Sequence, residues 1–560
     1  MQHKALAYLA LIGFGVYALS LFNGFVWDDF SQVVHNTEIH SLSRIPSLFL
    51  EGFGLYYKPV FYTLLSLIYA LAGPYAPAYH ILQLCLHIGN AFLIYILFAR
   101  FFKKETSLIL AIVFLVHPLN TETVSYIATL QDVLFLFFGM LSLLIWINYP
   151  VTSQRILLAS FCSLISLLSK ESGILFLGIN LIAIFFLKKE QLKAYIVSSI
   201  ITVSIYMLLR VTAIDSLMYS NSYANIPSDK RFTEIPHIMM FLPLSMRLLS
   251  MPKILAYYLG NAIYPNALSI SQFWAVRTIT LSDFIMPLAM VIFFFTVLFF
   301  IYIKGKNNKT FSRVYIIFFL WFIMGLAFHS QLIPLDATVA DRWFYFPIIG
   351  LLGIIGAAID LSKFGSFISR KKLFVVSVIV LIALGVKATL SSLNWKNNIT
   401  LYSYGLSMAK DNYELENTLG VELTQAKRYS EAEQHIKHAI TLRKDYWVTW
   451  HNLGFLYEEQ KKFTQATECY QKAILYGDQQ YSYENLARVL LFQNPKKAKT
   501  FAIKALIRFP TSHLLMYILA QIEYKLGNQE KALSLIEKAY ALYPDVAYLN
   551  FKQKIEFQPQ

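Results

Sequence analysis

The sequence predicts an all-α protein in which a polytopic bundle of membrane helices is followed by a soluble α-solenoid. Three observations carry this prediction. Of 560 residues, 57% are hydrophobic and only 14% charged, against about a quarter charged in a soluble chain. Apolar runs recur through the first two thirds at about 20 residues, the length a helix needs to cross about 30 Å of hydrocarbon. After residue 393 the composition turns charged and Ala-rich, and a 34-residue period appears.

Spans are expected near 4–22, 80–101, 106–117, 131–148, 155–169, 172–187, 193–210, 282–303, 313–329, 343–361 and 373–391, about eleven crossings. The N-terminal "MQHKALAYLALIGFGVYALSLF" has no small-x-small cleavage site, so it reads as a retained first span. Lys103, Lys104, Arg155, Lys188, Lys189, "KGKNNK" and "RKK" all fall on one side if the N-terminus is cytoplasmic, as the positive-inside rule requires. An odd number of crossings then places the C-terminal region outside the cytoplasm. The net charge of +15 belongs to these loops, and no nucleic-acid partner is expected. Cys85, Cys162 and Cys469 form neither a disulfide framework nor a zinc pattern.

Three extracytoplasmic segments are expected: 23–79, 211–281 and the short loop 329–343. In the first, "YYKPVFYTLLSLIYALAG" is apolar but too short to span, so an interfacial helix is expected. "NSYANIPSDKRFTEIP" and "KILAYYLGNAIYPNALSISQFW" in the second also read as interfacial. Residues 1–392 therefore form the membrane domain, 393–411 a linker and 412–560 the repeat domain. The repeat pairs Gly420 with Gly454, Ala432 with Ala466 and Ala439 with Ala473, then continues through Ala498, Ala505, Ala532 and Ala539. That period, with small residues where paired helices pack, is the tetratricopeptide signature. About four units are expected, with a concave face suited to extended peptide.

The candidate chemistry lies at span ends. "FNGFVWDDF" places Asp28 and Asp29 just after the first span, where the helix dipole favours cations over anions. Adjacent carboxylates repel, which readies one of them as a base. Lys58 in "YYKPV" either snorkels toward headgroups or holds a phosphate. "VFLVHPLNTETVSYIATLQDVLFLFF" supplies His117, Glu122 and Asp132. His117 reads first as a satisfied histidine before proline, whereas Asp132, an acid entering a span, is a functional candidate. Asp28 and Asp132 are also candidate oxygen ligands for a divalent cation. Lys170 and Glu171 share a short turn, and pairing with each other is the first expectation. "VADRWFYFP" supplies Asp341, Arg342 and Tyr345. There Arg342 either pairs with Asp341 or offers its guanidinium to a phosphate. All these groups are expected on one non-cytoplasmic face, which suits a reaction between a lipid-borne phosphate and something outside.

This ordered set resembles the GT-C glycosyltransferases that use polyprenyl-phosphate sugars, and most of all the transmembrane and tetratricopeptide repeat-containing O-mannosyltransferases. "FVWDDF", "YYKPV", "VHPLNTETV", "LQDVL", "LSKESGI" and "ADRWFYFP" are similar to that family's motifs in the same order. The departures are Lys58-Pro59 where the family has Arg-Pro, Asp341 where it has Glu, and a short solenoid, and they suggest a prokaryotic relative in a plasma membrane. The resemblance implies a polyprenyl-phosphate sugar donor with its phosphate near Lys58 and Arg342. It also implies an inverting transfer to Ser or Thr of an extracytoplasmic protein, with Asp28, or failing that Asp29, as general base. The acceptor or a partner protein would dock on the repeats. The competing readings are transfer to lipid or cell-surface glycan, and a non-catalytic scaffold that presents the repeats.

Overall fold

A computed structural model describes residues 2–51, 57–219, 242–266, 268, 270, 272, 274–335, 337–362 and 370–557. The polar stretch "NSYANIPSDKRFTEIP" lies outside the described residues. Regular structure among them is helical, and the one β-bridge joins Gln272 to Val339. The chain divides into two compact units, Met1–Leu401 and Tyr402–Gln560. The division falls within the stretch expected as linker, which itself carries a helix, Asn398–Met408.

Each of the eleven expected spans corresponds to a helix. Six are long and apolar enough to cross a membrane: Ala76–Phe98, Ile127–Asn148, Lys189–Ala213, Leu281–Gly305, Lys309–Phe328 and Phe374–Leu393. Lys104–Val116 and Pro118–Ser125 would make a seventh, bent by 50° at His117. The chain is a multi-pass membrane protein.

The other expected spans are shorter helices, Gln2–Tyr17, Ser153–Ser169, Ile174–Leu187 and Pro347–Asp360. At 1.5 Å per residue, none reaches about 30 Å. Three of them lie directly beside a candidate residue. Ser153–Ser169 ends at Lys170, Ile174–Leu187 follows Glu171, and Pro347–Asp360 follows the turn that carries Arg342. The first helix continues as a 3₁₀ turn, Leu19–Phe22, just before the paired acids. Helix is given up at these points because the backbone must turn to aim polar groups, which lipid tolerates only where protein surrounds the turn. Pro59–Ala72 is a separate 14-residue helix, short as expected, with Pro59 opening it after Lys58.

Helices Lys309–Phe328 and Pro347–Asp360 approach so closely that a Cβ on Gly350 would meet the Phe322 nitrogen at 2.5 Å and the Phe318 oxygen at 2.7 Å. Small residues at such crossings are how membrane helices pack without a hydrophobic driving force.

After the helix Asn398–Met408, the described residues of the second unit form four helix pairs and a last helix. The pairs are Tyr413–Gln425 with Tyr429–Leu442, Trp447–Glu459 with Phe463–Gly477, Gln480–Gln493 with Pro495–Arg508, and His513–Lys525 with Gln529–Leu542. Val546–Phe557 follows. The repeat alanines 432, 439, 466, 473, 498, 505, 532 and 539 are all buried, since any larger side chain there would hold paired helices apart. The alanines of the 34-residue period thus fall within these helix pairs.

Gly350→Ala, which forces a Cβ against backbone, is expected to destabilise the first unit by about 1–3 kcal/mol. Gly15→Ala, where nothing lies within 4 Å, should be neutral or stabilising by up to about 1 kcal/mol. Thermal unfolding in detergent checks both.

Candidate functional site

Asp28 and Asp29 adjoin in sequence but occupy different environments. After Trp27 the backbone turns, so that Asp28 is exposed while Asp29 is fully buried. Asp29 accepts from the Val26 N–H at 3.0 Å through Oδ2 and from the Ala128 N–H at 2.7 Å through Oδ1. It thereby ties the loop after the first helix to the segment that enters the span Ile127–Asn148. Burial pushes its carboxyl up to about 8, against the pull of those backbone donors. Asp29 is thus a fastening, and Asp28 is the acid that reaches solvent. Trp27 itself sits at φ 48°, a left-handed conformation that costs a bulky residue about 1–2 kcal/mol.

Lys58 caps the helix Pro59–Ala72 from a buried position, with its ammonium 4.6 Å from the Phe61 ring centroid and 5.4 Å from that of Tyr62. Burial lowers its pKa to about 8, opposed by the negative charges of Glu171, Asp28 and Asp132 and reinforced by Lys170. The structure therefore brings Lys58 into one neighbourhood with both acids named in the sequence and with the Lys170–Glu171 turn.

Lys170 and Glu171 do not pair with each other. The Lys170 ammonium donates to Asp132 Oδ1 at 2.5 Å. Glu171 accepts from the Tyr57 N–H at 3.4 Å and lies 3.5 Å from Arg210 Nη1. The physical reason is the extended backbone of Lys170, φ −161° and ψ 142°, which points neighbouring side chains to opposite sides. Asp132 is buried and already neutralised by an ammonium. That argues against it as a free base or a metal ligand, since the place of the cation is taken. Among the described residues, no three His, Cys, Asp or Glu side chains converge in a metal-holding group.

Asp341 and Arg342 do not form a local pair either. Glu122 holds Arg342 twice, as an ion pair with the guanidinium Nη1 and as acceptor of the Arg342 backbone N–H at 2.9 Å. Asp341 instead accepts from the Tyr257 hydroxyl at 2.5 Å. The 3₁₀ turn Asp341–Phe344 rotates successive side chains by about a third of a circle, which separates these neighbours. Two further expected residues are structural. His117 is buried, accepting from the Leu119 N–H at 3.3 Å while its Nε2 lies 3.2 Å from the Ala262 oxygen. Tyr345 is fully buried, with its hydroxyl 2.8 Å from His87 Nδ1 and 3.1 Å from the Asn90 amide.

Sequence reasoning missed His329, Tyr126 and Tyr257. His329 stacks on Trp343 with ring centroids 5.5 Å apart. Burial first, then the charges of Lys170 and Arg342, lower its pKa to about 3, so it is neutral. It joins the Lys170 side of the cluster to the Arg342 side. The Tyr126 hydroxyl lies in the combined field of Asp28, Asp29 and Arg342, which joins the paired acids to the same group. "HSQLIPL" carried no spacing signal for His329.

Comparison with known proteins agrees with the resemblance read from the motifs. The tetratricopeptide repeat model matches residues 449–476 and 514–546. The human protein named protein O-mannosyl-transferase TMTC3 is 22% identical over 81% of this chain and 53% of its own length. The Caenorhabditis elegans protein O-mannosyl-transferase F38B6.6 is 24% identical over 77% of this chain and 61% of its own. The chain thus spans little more than half the length of the curated relatives it matches. A tetratricopeptide protein from Thermus thermophilus aligns with 32% of this chain and 94% of its own, at 17% identity and a TM-score of 0.26.

Replacing Glu122 by Leu removes the ion-pair partner of the part-buried Arg342 and is expected to cost about 1.5–3 kcal/mol. Glu38→Leu breaks an exposed pair with Arg44 and should cost under about 1 kcal/mol. The two variants compared in thermal unfolding check the assignment.

Proposed function

We propose that the chain is a GT-C-type glycosyltransferase that moves a sugar from a polyprenyl-phosphate donor to a Ser or Thr hydroxyl of a protein. The observation that carries this reading is one solvent-facing acid, Asp28, in the same neighbourhood as the buried Lys58 and the part-buried Lys170. Relatives named as protein O-mannosyl-transferases along most of the chain support it. The repeat unit supports a protein acceptor, because paired-helix solenoids present a concave surface for extended peptide. The reaction face is the extracytoplasmic one, on the distribution of basic loops.

In this reading Asp28 removes the proton from the acceptor hydroxyl as its oxygen attacks the anomeric carbon. The bond from that carbon to the phosphate oxygen breaks on the opposite face, and its electron pair leaves with the phosphate. Configuration inverts. Lys58 and Arg342 stabilise the charge that builds on the departing phosphate. Arg342 is held in place by Glu122. The buried Oδ2 of Asp132 has no hydrogen-bond partner among the described residues, and a sugar hydroxyl would supply one.

An apolar groove supports a lipid-borne donor. Helices Ser153–Ser169 and Leu192–Tyr219 enclose an apolar groove of about 480 Å³ lined by Phe161, Leu164, Ile201 and Ile205. The first helix ends at Lys170, and the second carries Arg210, the partner of Glu171. A tail lying in this groove would bring its phosphate toward the cations. The residues present do not call for a metal ion, since Lys170 already occupies Asp132, and no step is assigned to one.

Asp28→Asn is expected to lower transfer from polyprenyl-phosphate mannose to a Ser/Thr peptide by about 10²–10⁴-fold without lowering the unfolding temperature. Asp29→Asn should instead weaken the fold by about 1–3 kcal/mol, since its amide nitrogen cannot accept a backbone N–H. Unchanged transfer by Asp28→Asn would remove Asp28 as the base. Lys58 predicts a pH signature. It is charged below its pKa of about 8 and loses its proton as pH rises through it, so the donor KM should rise above that pH. Lys58→Arg, charged throughout, should abolish the rise.

A further inference from the structure

The segment that follows the last span reaches back to the paired acids. Three hydrogen bonds join it to the loop between the first helix and Asp28. The Asn23 side-chain amide donates to the Ser392 oxygen at 3.1 Å, the Gly24 N–H donates to the Lys396 oxygen at 3.0 Å, and the Trp27 N–H donates to Asn398 Oδ1 at 2.8 Å. The rings add a second fastening. Trp27 stacks on Tyr126 with centroids 5.7 Å apart and planes 11° off parallel, and Tyr126 stacks in turn with Trp395 at 5.2 Å and 22°.

We infer that residues 392–398 act as a positioning strap for the general base, with Asn398 the residue that sets the direction of Asp28 by holding Trp27 in its left-handed conformation. This inference rests on the proposed role of Asp28.

Trp27 is the residue on which the strap acts. Its φ of 48° is one that a bulky residue adopts only when its surroundings impose it. Its N–H is taken by Asn398, and its ring is stacked on Tyr126. Relaxation of Trp27 to an ordinary backbone conformation would rotate the following residue, and Asp28 with it. Asp29 fixes the far side of the loop through Ala128, so the strap and Asp29 grip the loop on either side of the exposed Asp28. None of the three strap hydrogen bonds involves the Asp28 carboxylate or a residue proposed to touch the donor. Asn398 is therefore a positioning residue and not a catalytic one. It also opens the helix Asn398–Met408, just ahead of Tyr402, where the second unit begins.

The test uses the full chain reconstituted in liposomes, with polyprenyl-phosphate mannose as donor and a Ser/Thr peptide as acceptor. Asn398→Leu matches the amide in size and lacks the acceptor oxygen. It is expected to lower kcat by up to about 10²-fold, the effect of misplacing a reacting group by about 1 Å. KM for donor and acceptor should stay within about twofold, since binding groups are untouched. Asn398→Asp keeps Oδ1 and should recover most of the loss. If Asn398→Leu does not fold, Asn398→Gln, which moves the amide by one methylene, takes its place with the same expectation. A kcat within about twofold of wild type overturns the inference, and so does equal loss in the Leu and Asp variants. Hydrogen exchange across residues 23–29 reads the strap without activity. Faster exchange in Asn398→Leu supports it, and unchanged exchange overturns it. A wild-type chain that transfers no sugar overturns the functional reading instead, and the exchange result still decides the strap.

Discussion

The arrangement of the site depends on one buried carboxylate. Asp29 accepts the N–H groups of Val26 and Ala128, and these bonds join the end of the first helix to the start of the span Ile127–Asn148. A fully buried acid is costly unless its oxygens are met, so this contact fixes the loop in one conformation. Asp28, next to it in the chain, is exposed. With the loop so fixed, Tyr126 is placed to take Trp27 and Trp395 against its ring. Glu122, in the short helix Thr121–Ser125 just before this segment, holds Arg342.

The membrane imposes the second constraint. In hydrocarbon every backbone group must be satisfied within the chain, so polar chemistry is confined to places where several helices stop together. The short helices here stop at Lys170, at Glu171 and beside the turn of Arg342. Their buried charges then come in pairs, Asp132 with Lys170 and Glu122 with Arg342, because an unpaired one would carry the full penalty of desolvation. Such pairing presets where the cations sit.

Much of this was legible in the sequence. Hydropathy located a helix for each expected span, and the 34-residue period located the helix pairs through their buried alanines. Both signals are periodic and local. The candidate residues were legible as ionisable groups at span ends, which is unusual chemistry for lipid. Their partners were not. Glu122 and Arg342 lie 220 residues apart, Asp132 and Lys170 lie 38 apart, and nothing local specifies either match. Adjacent pairs misled for the same reason in reverse. Lys170 with Glu171 and Asp341 with Arg342 look like partners on paper, yet extended or 3₁₀ backbone turns them apart. Asn398 was invisible as part of the site because its contribution is one side-chain oxygen that accepts from a backbone N–H 371 residues away.

The central claim is that sugar passes from a lipid phosphate to a protein hydroxyl. The most direct measurement is the intact mass of a Ser/Thr-containing acceptor protein after incubation with the reconstituted chain and polyprenyl-phosphate mannose. The account predicts hexose additions to the acceptor that disappear when its Ser and Thr residues are replaced by Ala, with anomeric configuration opposite to that of the donor. An unchanged acceptor mass, with the sugar still on lipid or released free, would contradict it.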